Sequence, residues 1–470
     1  MNGEWEAIVI GAGPAGMAAA ATLAESGART LLIDEQAAPG GQIYRAIERN
    51  AKNVRLSTIL GEDYARGAAA AARLRVSGAE LRFATAAWRI DAGVEVWTKT
   101  EGHVERLRAK TLVLASGAME RPVPIPGWTL PGVMTIGALQ IALKASGLAP
   151  AGRLVLAGSG PLFYLFAAQC LQAGTDGMVL LDTAAAQNRI PALRHLPSAL
   201  RGYGPRYLWK GIHLMAALRR SGVAIHRNVS DIRIEGEERA TAVTFVTGRH
   251  TRRIDCDIVG LHEGVIPHQQ MARSLGCSHD WDAAQHCFRP RRDRWGETTV
   301  DGIFIAGDGG GIIGAQASIH DGNIAALAIL NRLGRLSAEE RDRRYRTEAR
   351  ARAAHLTVRS FLDRLYLPRD EILDPADDTV VCRCECIKAG EIREVASTGC
   401  LGPNQTKAFL RSGMGPCQGR MCGPTVSEII ARSTNQTAAQ TGYYRIRSPL
   451  KPVTVGELAA QFDREQQNDR

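Results

Sequence analysis

The sequence predicts an α/β chain with two Rossmann-like dinucleotide-binding units and a small helical, cysteine-bearing domain towards its C-terminus. Three observations predict this. A strand, a GxGxxG turn, a helix and an acid-ended strand follow one another over residues 7–35. A second strand and glycine turn open at Arg153, and six of the ten cysteines crowd between Cys382 and Cys422. With 470 residues the chain is too long for one compact core, so two or three domains are expected. Hydrophobic residues at 45% and charged residues at 23% fit a soluble globular protein.

The formal net charge is +10 and the pI about 9.2. Such charge suits nucleic acid, an anionic cofactor, an acidic partner or solubility alone. No nucleic-acid-binding motif is present, so no nucleic-acid partner is expected. The N-terminus has no basic n-region, and no run of about 18 apolar residues occurs, so neither a targeting segment nor a membrane span is expected. Cysteines clustered in a long unsignalled chain read as metal ligands rather than disulfides, and a reducing cytoplasm is the expected compartment.

The first unit runs Ala7-Ile-Val-Ile-Gly11-Ala-Gly13-Pro14-Ala15-Gly16 into an alanine-rich helix. Gly11 permits the tight turn, Gly13 lets the backbone approach a pyrophosphate, and Gly16 lets helix and strand pack closely. The helix N-terminus offers free N–H groups to the phosphates. The second strand, Thr30 to Ile33, ends in Asp34-Glu35, with Glu35 the first choice to hold the adenosine ribose and Asp34 the second.

The second unit runs Arg153-Leu-Val-Leu-Ala-Gly158-Ser-Gly160-Pro-Leu-Phe163, with a following strand that ends at Asp182. Gly158, Gly160 and Asp182 are its candidate nucleotide residues, and Asp182 favours NAD over NADP. Phe163 stands where close packing wants glycine or alanine, so this site is read as retired or repurposed, with a second adenine nucleotide left open. Cys170, Cys256, Cys277 and Cys287 are scattered and no CxxC accompanies the glycine motifs, so a disulfide-reductase mechanism is not supported.

Near the C-terminus, Cys382-Arg-Cys384 and Cys417-Gln-Gly-Arg-Met-Cys422 form a CxC arm and a CxxxxC arm. Four thiolates are the set a [2Fe–2S] cluster needs. Zinc is the competing reading, although structural zinc usually takes C-x₂₋₄-C pairs. Cys386 is an alternative ligand on the first arm and Cys400 is surplus. Residues 336–378 read as a helical linker whose charge run is a solvated face. Residues 437–470 read as a tail with a two-proline extended stretch, its last ten residues polar and disordered.

Several segments resemble thioredoxin-reductase-like flavoproteins. Pro39-Gly40-Gly41-Gln42 looks like the loop under the flavin, Thr111-Leu-Val-Leu-Ala-Ser116-Gly117 like the strand and turn that close the FAD domain, and Gly302-Ile-Phe-Ile-Ala-Gly307-Asp308 like the late strand that brings an Asp to the ribitol or phosphate. The resemblance implies FAD at the first site, with Gly41, Gln42, Ser116, Gly117, Gly307 and Asp308 among its contacts. The alternative for Asp308 is a plain helix N-cap. It also implies a discontinuous FAD domain, 1–125 with 290–335, holding an inserted NAD(P)-type domain, 126–289. Residues 379–436 resemble the BFD-like (bacterioferritin-associated ferredoxin-like) [2Fe–2S] domain, with Cys382, Cys384, Cys417 and Cys422 as ligands.

The whole order, from about Trp5 to Leu458, is similar to the FAD/[2Fe–2S] subunits of bacterial multi-subunit amine and amino-acid dehydrogenases. That group takes in the A subunit of opine oxidase, the alpha subunit of D-hydroxyproline dehydrogenase and the B subunit of hydrogen cyanide synthase. Its most specific segments here are PGGQIYR (39–45), ERPVPIPGWTLPGV (120–133), 413–424 and YRIRSPLKP (444–452). The resemblance implies an electron-transfer subunit whose substrate is oxidised on a glycine- or sarcosine-oxidase-like partner, with a small ferredoxin-like subunit as a further partner. No catalytic base is identifiable, and His262, His268 and His320 stand in no recognisable constellation. Two other readings remain: a self-sufficient NAD(P)H-dependent FAD/iron–sulfur reductase, and a non-catalytic assembly subunit.

Overall fold

The structure, a computed structural model, describes residues 4–460, so the polar last ten residues lie outside the described residues. Strands β1 (Trp5–Ile10), β2 (Thr30–Ile33), β3 (Glu80–Arg82), β4 (Thr85–Asp91), β5 (Glu95–Thr100) and β6 (His103–Leu114) form one sheet in the order β3-β2-β1-β6-β5-β4. β3, β2, β1 and β6 are parallel, and β4 to β6 form an antiparallel meander. The length of β6 lets it serve both: its Ala109–Leu114 end pairs with β1 and its His103–Arg108 end with β5. β1 is an almost unbroken apolar run because both its faces are buried: Ala7 and Val9 pack in the core that holds helix Pro14–Glu25, and Ile8 and Ile10 in one with Val96 and Leu107 of the antiparallel strands.

After β6 the chain leaves this sheet, and it returns only at Ile303–Ile305, which pairs in parallel with Leu112 to Leu114. Between the two lies a second parallel sheet in the order Ala224–Arg227, Val179–Asp182, Leu154–Ser159, Ile258–Glu263, Val133–Thr135. A three-stranded antiparallel sheet over residues 229–255 accompanies it. Two doubly wound units in one α/β chain are thus present, as the sequence predicts.

Helix Pro14–Glu25 packs along helix Ala315–Arg332. Small residues allow the close approach, since a Cβ at Gly322 would overlap the Ala15 carbonyl. The charged helix Ala338–Leu356 buries no residue, which agrees with a solvated face. Two of its side chains nevertheless turn inward: Arg352 reaches the buried Asp321, and Glu348 lies 2.7 Å from His320.

The C-terminal domain carries a short hairpin, Val380–Cys382 with Ile387–Lys388, and helices Ala389–Ser397, Pro403–Leu410 and Gly423–Ser433. Its core joins Val381, Ile392, Val426, Ile429 and Ile430 to Tyr444 and Ile446. The chain from 437 to 457 is therefore packed rather than loose. It completes this core and then runs back to the first sheet, where Leu450 N–H donates to the Trp88 carbonyl and Glu457 pairs with Lys99 at 2.8 Å.

Candidate functional site

The first glycine turn is built as its spacing predicts. A Cβ at Gly16 would overlap the Gly11 carbonyl, and one at Gly11, where φ is +106°, would overlap the Ala115 carbonyl, so these two glycines serve packing. Gly13 differs. A Cβ there would meet only the Gly41 Cα at 3.9 Å, leaving open space between the turn and the Gly41-Gln42 loop. That space belongs to a connected cavity of about 1600 Å³, larger than the roughly 300–1,000 Å³ of an ordinary small-molecule pocket. Gly11, Gly13, Pro14, Ala15, Asp34, Glu35, Gly41, Gln42, Ser116, Gly117, Gly307 and Asp308 all line it. Gly16 supports the turn from behind.

The two acids after β2 divide the work. The Asp34 carboxylate accepts from Ala12 N–H at 2.5 Å and Gln36 N–H at 2.7 Å, which braces the turn. Glu35 is freer and forms an ion pair with Lys451 at 2.6 Å. Burial opposes its ionisation, but Lys451 holds its carboxyl below the usual range. Asp308 Oδ1 accepts from Ile313 N–H at 2.7 Å and Gly314 N–H at 2.8 Å. It thus closes the glycine turn ahead of helix Ala315–Arg332, whose N-cap is Gly314.

The second glycine turn repeats the pattern. A Cβ at Gly158 would overlap the His262 carbonyl, whereas one at Gly160 would meet nothing. Phe163 does not force the helix away from its strand: it is fully buried and lies edge-on to Tyr164 at 5.0 Å. The obstacle lies one residue on. Tyr164 Oη donates to Asp182 Oδ2 at 2.8 Å while Ala184 N–H donates to Oδ1 at 3.0 Å, so both oxygens of the ribose candidate are occupied. Neighbouring Glu263 is held by Thr183 and Arg369. A nicotinamide dinucleotide would have to compete with Tyr164 for Asp182, so NADH or NADPH is expected to leave the flavin of the isolated chain oxidised on the turnover timescale. Stopped-flow bleaching of the flavin by either would show this wrong.

Three groups in the cavity wall carry no sequence signal. His262 Nδ1 and Glu120 Oε1 lie 2.7 Å apart, a pairing between residues far apart in sequence. Lys451 comes from the C-terminal stretch, next to Arg420 and the half-buried His268, whose imidazole is pushed down to about 4 by desolvation and then by Arg420 and Lys451. Lys144 is almost fully buried, and its Nζ donates only to neutral oxygens, Gln140 Oε1 at 2.8 Å and Gln42 O at 3.1 Å.

Burial, then Arg45, push Lys144 down to about 7. The unfolded chain, titrating near 10.4, holds this proton above pH 7 while the folded chain releases it. Stability therefore rises with pH across this window. Between pH 7 and 8.5 the flavin-free chain is expected to gain about 1.5 kcal/mol relative to Lys144→Met. Parallel urea-unfolding curves would exclude it. Arg45 and Arg49 also face Lys144 from the adjoining elements, and burial pushes the neighbouring Tyr64 hydroxyl above its ordinary value, so the difference isolates one amine.

In the C-terminal domain the four predicted ligands converge as two pairs. Cys422 donates to Cys382, and Cys384 contacts Cys417. Hydrogen bonding from Cys422, then backbone N–H groups of Gly413, Glu385 and Cys384, pull the Cys382 thiol down to about 5 against its burial. Cys386 is exposed, in a left-handed turn at φ +57°, with its sulfur towards Arg383 O. Cys400 is buried on Gly402 O at 3.5 Å. Among the described residues no three His, Cys, Asp or Glu side chains are placed to hold a single metal ion. The cysteine loop adjoins the first cavity: Arg420 lines it, and Gln270 Nε2 donates to Gln418 O at 3.1 Å.

A family model described as pyridine nucleotide-disulphide oxidoreductase matches residues 5–324, and one described as the sarcosine oxidase A3 domain matches 380–462. The A subunit of opine oxidase from Rhizobium meliloti (strain 1021) is 50% identical, over 97% of this chain and 98% of its own. The HcnB subunit of hydrogen cyanide synthase from Pseudomonas protegens is 31% identical, over 95% of this chain and 96% of its own. A crystal structure of L-proline dehydrogenase from P. horikoshii superposes with TM-score 0.69 at 19% identity, over 97% of this chain and 79% of that one, which shows the shared fold. The chain belongs to the pyridine nucleotide-disulphide oxidoreductase family, in the group of the opine oxidase A subunit and HcnB, and is an oxidoreductase of flavoprotein fold.

Proposed function

We propose that this chain is the FAD- and [2Fe–2S]-carrying electron-transfer subunit of a multi-subunit flavin-dependent amine or amino-acid dehydrogenase of opine, D-hydroxyproline or glycine type. The substrate is oxidised on a glycine- or sarcosine-oxidase-like partner subunit, and a small ferredoxin-like subunit is a further partner. The observation that carries this reading is the pairing of the four thiols, Cys382 with Cys422 and Cys384 with Cys417, on a loop that adjoins the dinucleotide cavity.

The residues fit both groups. Gly13 leaves space that a side chain would fill, Glu35 lines the cavity where it would hold the adenosine ribose, and Asp308 keeps the cavity end of the late strand in place. Four thiols that interact within and between the two arms suit a binuclear cluster, which takes two thiolates per iron, and a CxC arm fits structural zinc poorly. When bound, the flavin and the cluster supply two-electron and one-electron redox chemistry, and the protein binds, orients and tunes them. The matched chains of opine oxidase and sarcosine oxidase are each named as one subunit of their enzyme, which supports a division of labour between chains.

The test is to purify the chain from its natural source and identify by mass spectrometry what comes with it, then add candidate amines anaerobically. Flavin bleaching that needs a second, flavin-bearing subunit is the expected result. Bleaching of the lone chain by an amine would defeat the division of labour.

A further inference from the structure

Helices Arg189–Leu193, Leu196–Ala199 and Gly204–Arg220 form one platform: the first two pack on helix Arg359–Leu365, and the second also packs on the third. Six of the fifteen large hydrophobic side chains exposed among the described residues lie on it, Ile190, Leu193, Leu200, Tyr203, Trp209 and Ile212. A solvated surface does not concentrate apolar groups in this way.

Its charge is of one sign. From Arg189 to Arg220 there are seven Arg or Lys residues and no Asp or Glu. Lys210 and Arg206 pair with Asp63 across the cavity rim. For Arg189, Arg194, Arg201, Arg219 and Arg220 no carboxylate partner occurs among the described residues. The contrast is with the arginine-rich helix Ala338–Leu356, which carries its own acids and where Arg343 and Arg344 pair with Glu340. Exposed apolar groups and unpaired cations on the same packed helices match the composition of a recognition surface whose counterpart is acidic.

The platform also forms a wall of the large cavity, through Leu196, Tyr203, Arg206, Tyr207, Lys210 and Ile212. A body seated on it would close the cavity and exclude water from it. We infer that this platform is the docking surface for the substrate-oxidising partner subunit, which presents an acidic, partly apolar face to it. The inference rests on the multi-subunit reading above. A second copy of this chain is the wrong occupant, because a two-fold contact would set cation against cation. An anionic membrane suits the sign but not the shape: the long helix exposes only Trp209 and Ile212 as large apolar groups, too little for a helix lying in a lipid interface.

The test uses the co-expressed complex. Arg194→Glu with Arg219→Glu, and separately Trp209→Ser, change the platform without touching either cofactor site. Each is expected to lower recovery of the partner subunit with the chain by about tenfold or more, while flavin and cluster absorbance of the chain stay at wild-type levels. A photo-crosslinker at Leu200 should capture the partner subunit, and one at Val455 should not. Full recovery of the complex in both variants, crosslinks only between copies of this chain, or flotation of the chain with phosphatidylglycerol vesicles that both variants lose would overturn the surface assignment. A wild-type chain that never carries a second subunit would instead overturn the multi-subunit reading, and this surface with it.

Discussion

Replacing Cys384 by Ser is expected to remove the iron from this protein while leaving the flavin in place. The thiols of Cys382, Cys384, Cys417 and Cys422 meet as two pairs, and loss of one soft sulfur ligand leaves one iron with a harder oxygen that it binds poorly. Cys384 is the informative choice because it is exposed, so serine there leaves the domain core of Cys382, Cys422 and Tyr444 untouched. Wild-type protein should carry about two iron and two sulfide per chain, with an electron paramagnetic resonance signal after dithionite reduction. Cys384→Ser should lose both. Cys386→Ser and Cys400→Ser should keep both, since the first sulfur turns to Arg383 O and the second to Gly402 O. One zinc and no iron in anaerobically purified wild type would end the iron–sulfur reading. Iron kept in Cys384→Ser but lost in Cys386→Ser would mean that Cys386 is the ligand on the first arm.

What could be read in advance divides by range. The two glycine turns were legible because their chemistry is local: strand, glycines, helix and acid are all fixed by neighbours in sequence. The cysteine arms were legible because thiols at that spacing have few uses. The roles of the acids were only half legible. Asp34 and Glu35 are adjacent, and nothing local says that the first spends both oxygens on backbone N–H groups while the second pairs with a lysine more than 400 positions away. Phe163 points the same way. As a bulky residue it suggested poor packing, yet the core absorbs it, and the residue that occupies Asp182 is its neighbour Tyr164.

The glycines of segment 413–424 had no readable cause either. A Cβ at Gly413 or Gly419 would run into the Tyr444 ring, and one at Gly423 into Tyr443. These glycines exist to let two tyrosines from a later segment close over the cysteine loop. The stretch that looked like a tail is thus part of the cysteine domain, and its next residues deliver Lys451 to Glu35. Long-range closure of this kind leaves no periodicity behind, which is why the cavity wall, with His262 on Glu120 and Lys144 on Gln140, emerges only from the folded chain.

Replacing Gly13 by Val is expected to abolish flavin binding without unfolding the protein or disturbing its iron. Backbone geometry makes this a clean probe. Gly13 has φ −74° and ψ −177°, extended values that valine adopts freely. Its missing Cβ faces the gap to Gly41 rather than packed backbone. Gly11 and Gly16 offer no such test, because a side chain at either would collide with the Gly11 or Ala115 carbonyl and the failure would be one of folding. At Gly13 the added volume occupies the space where the backbone must approach a pyrophosphate, and it shields the N–H groups at the start of helix Pro14–Glu25 that would bind it. Flavin content in the purified variant should fall below about a tenth of wild type, a loss of more than about 1.4 kcal/mol in binding. Thermal unfolding of the flavin-free forms should be unchanged, and iron per chain should equal wild type because the four cysteines lie in another domain. Full flavin content in Gly13→Val would place the flavin elsewhere in the cavity and leave the first glycine turn without its ligand.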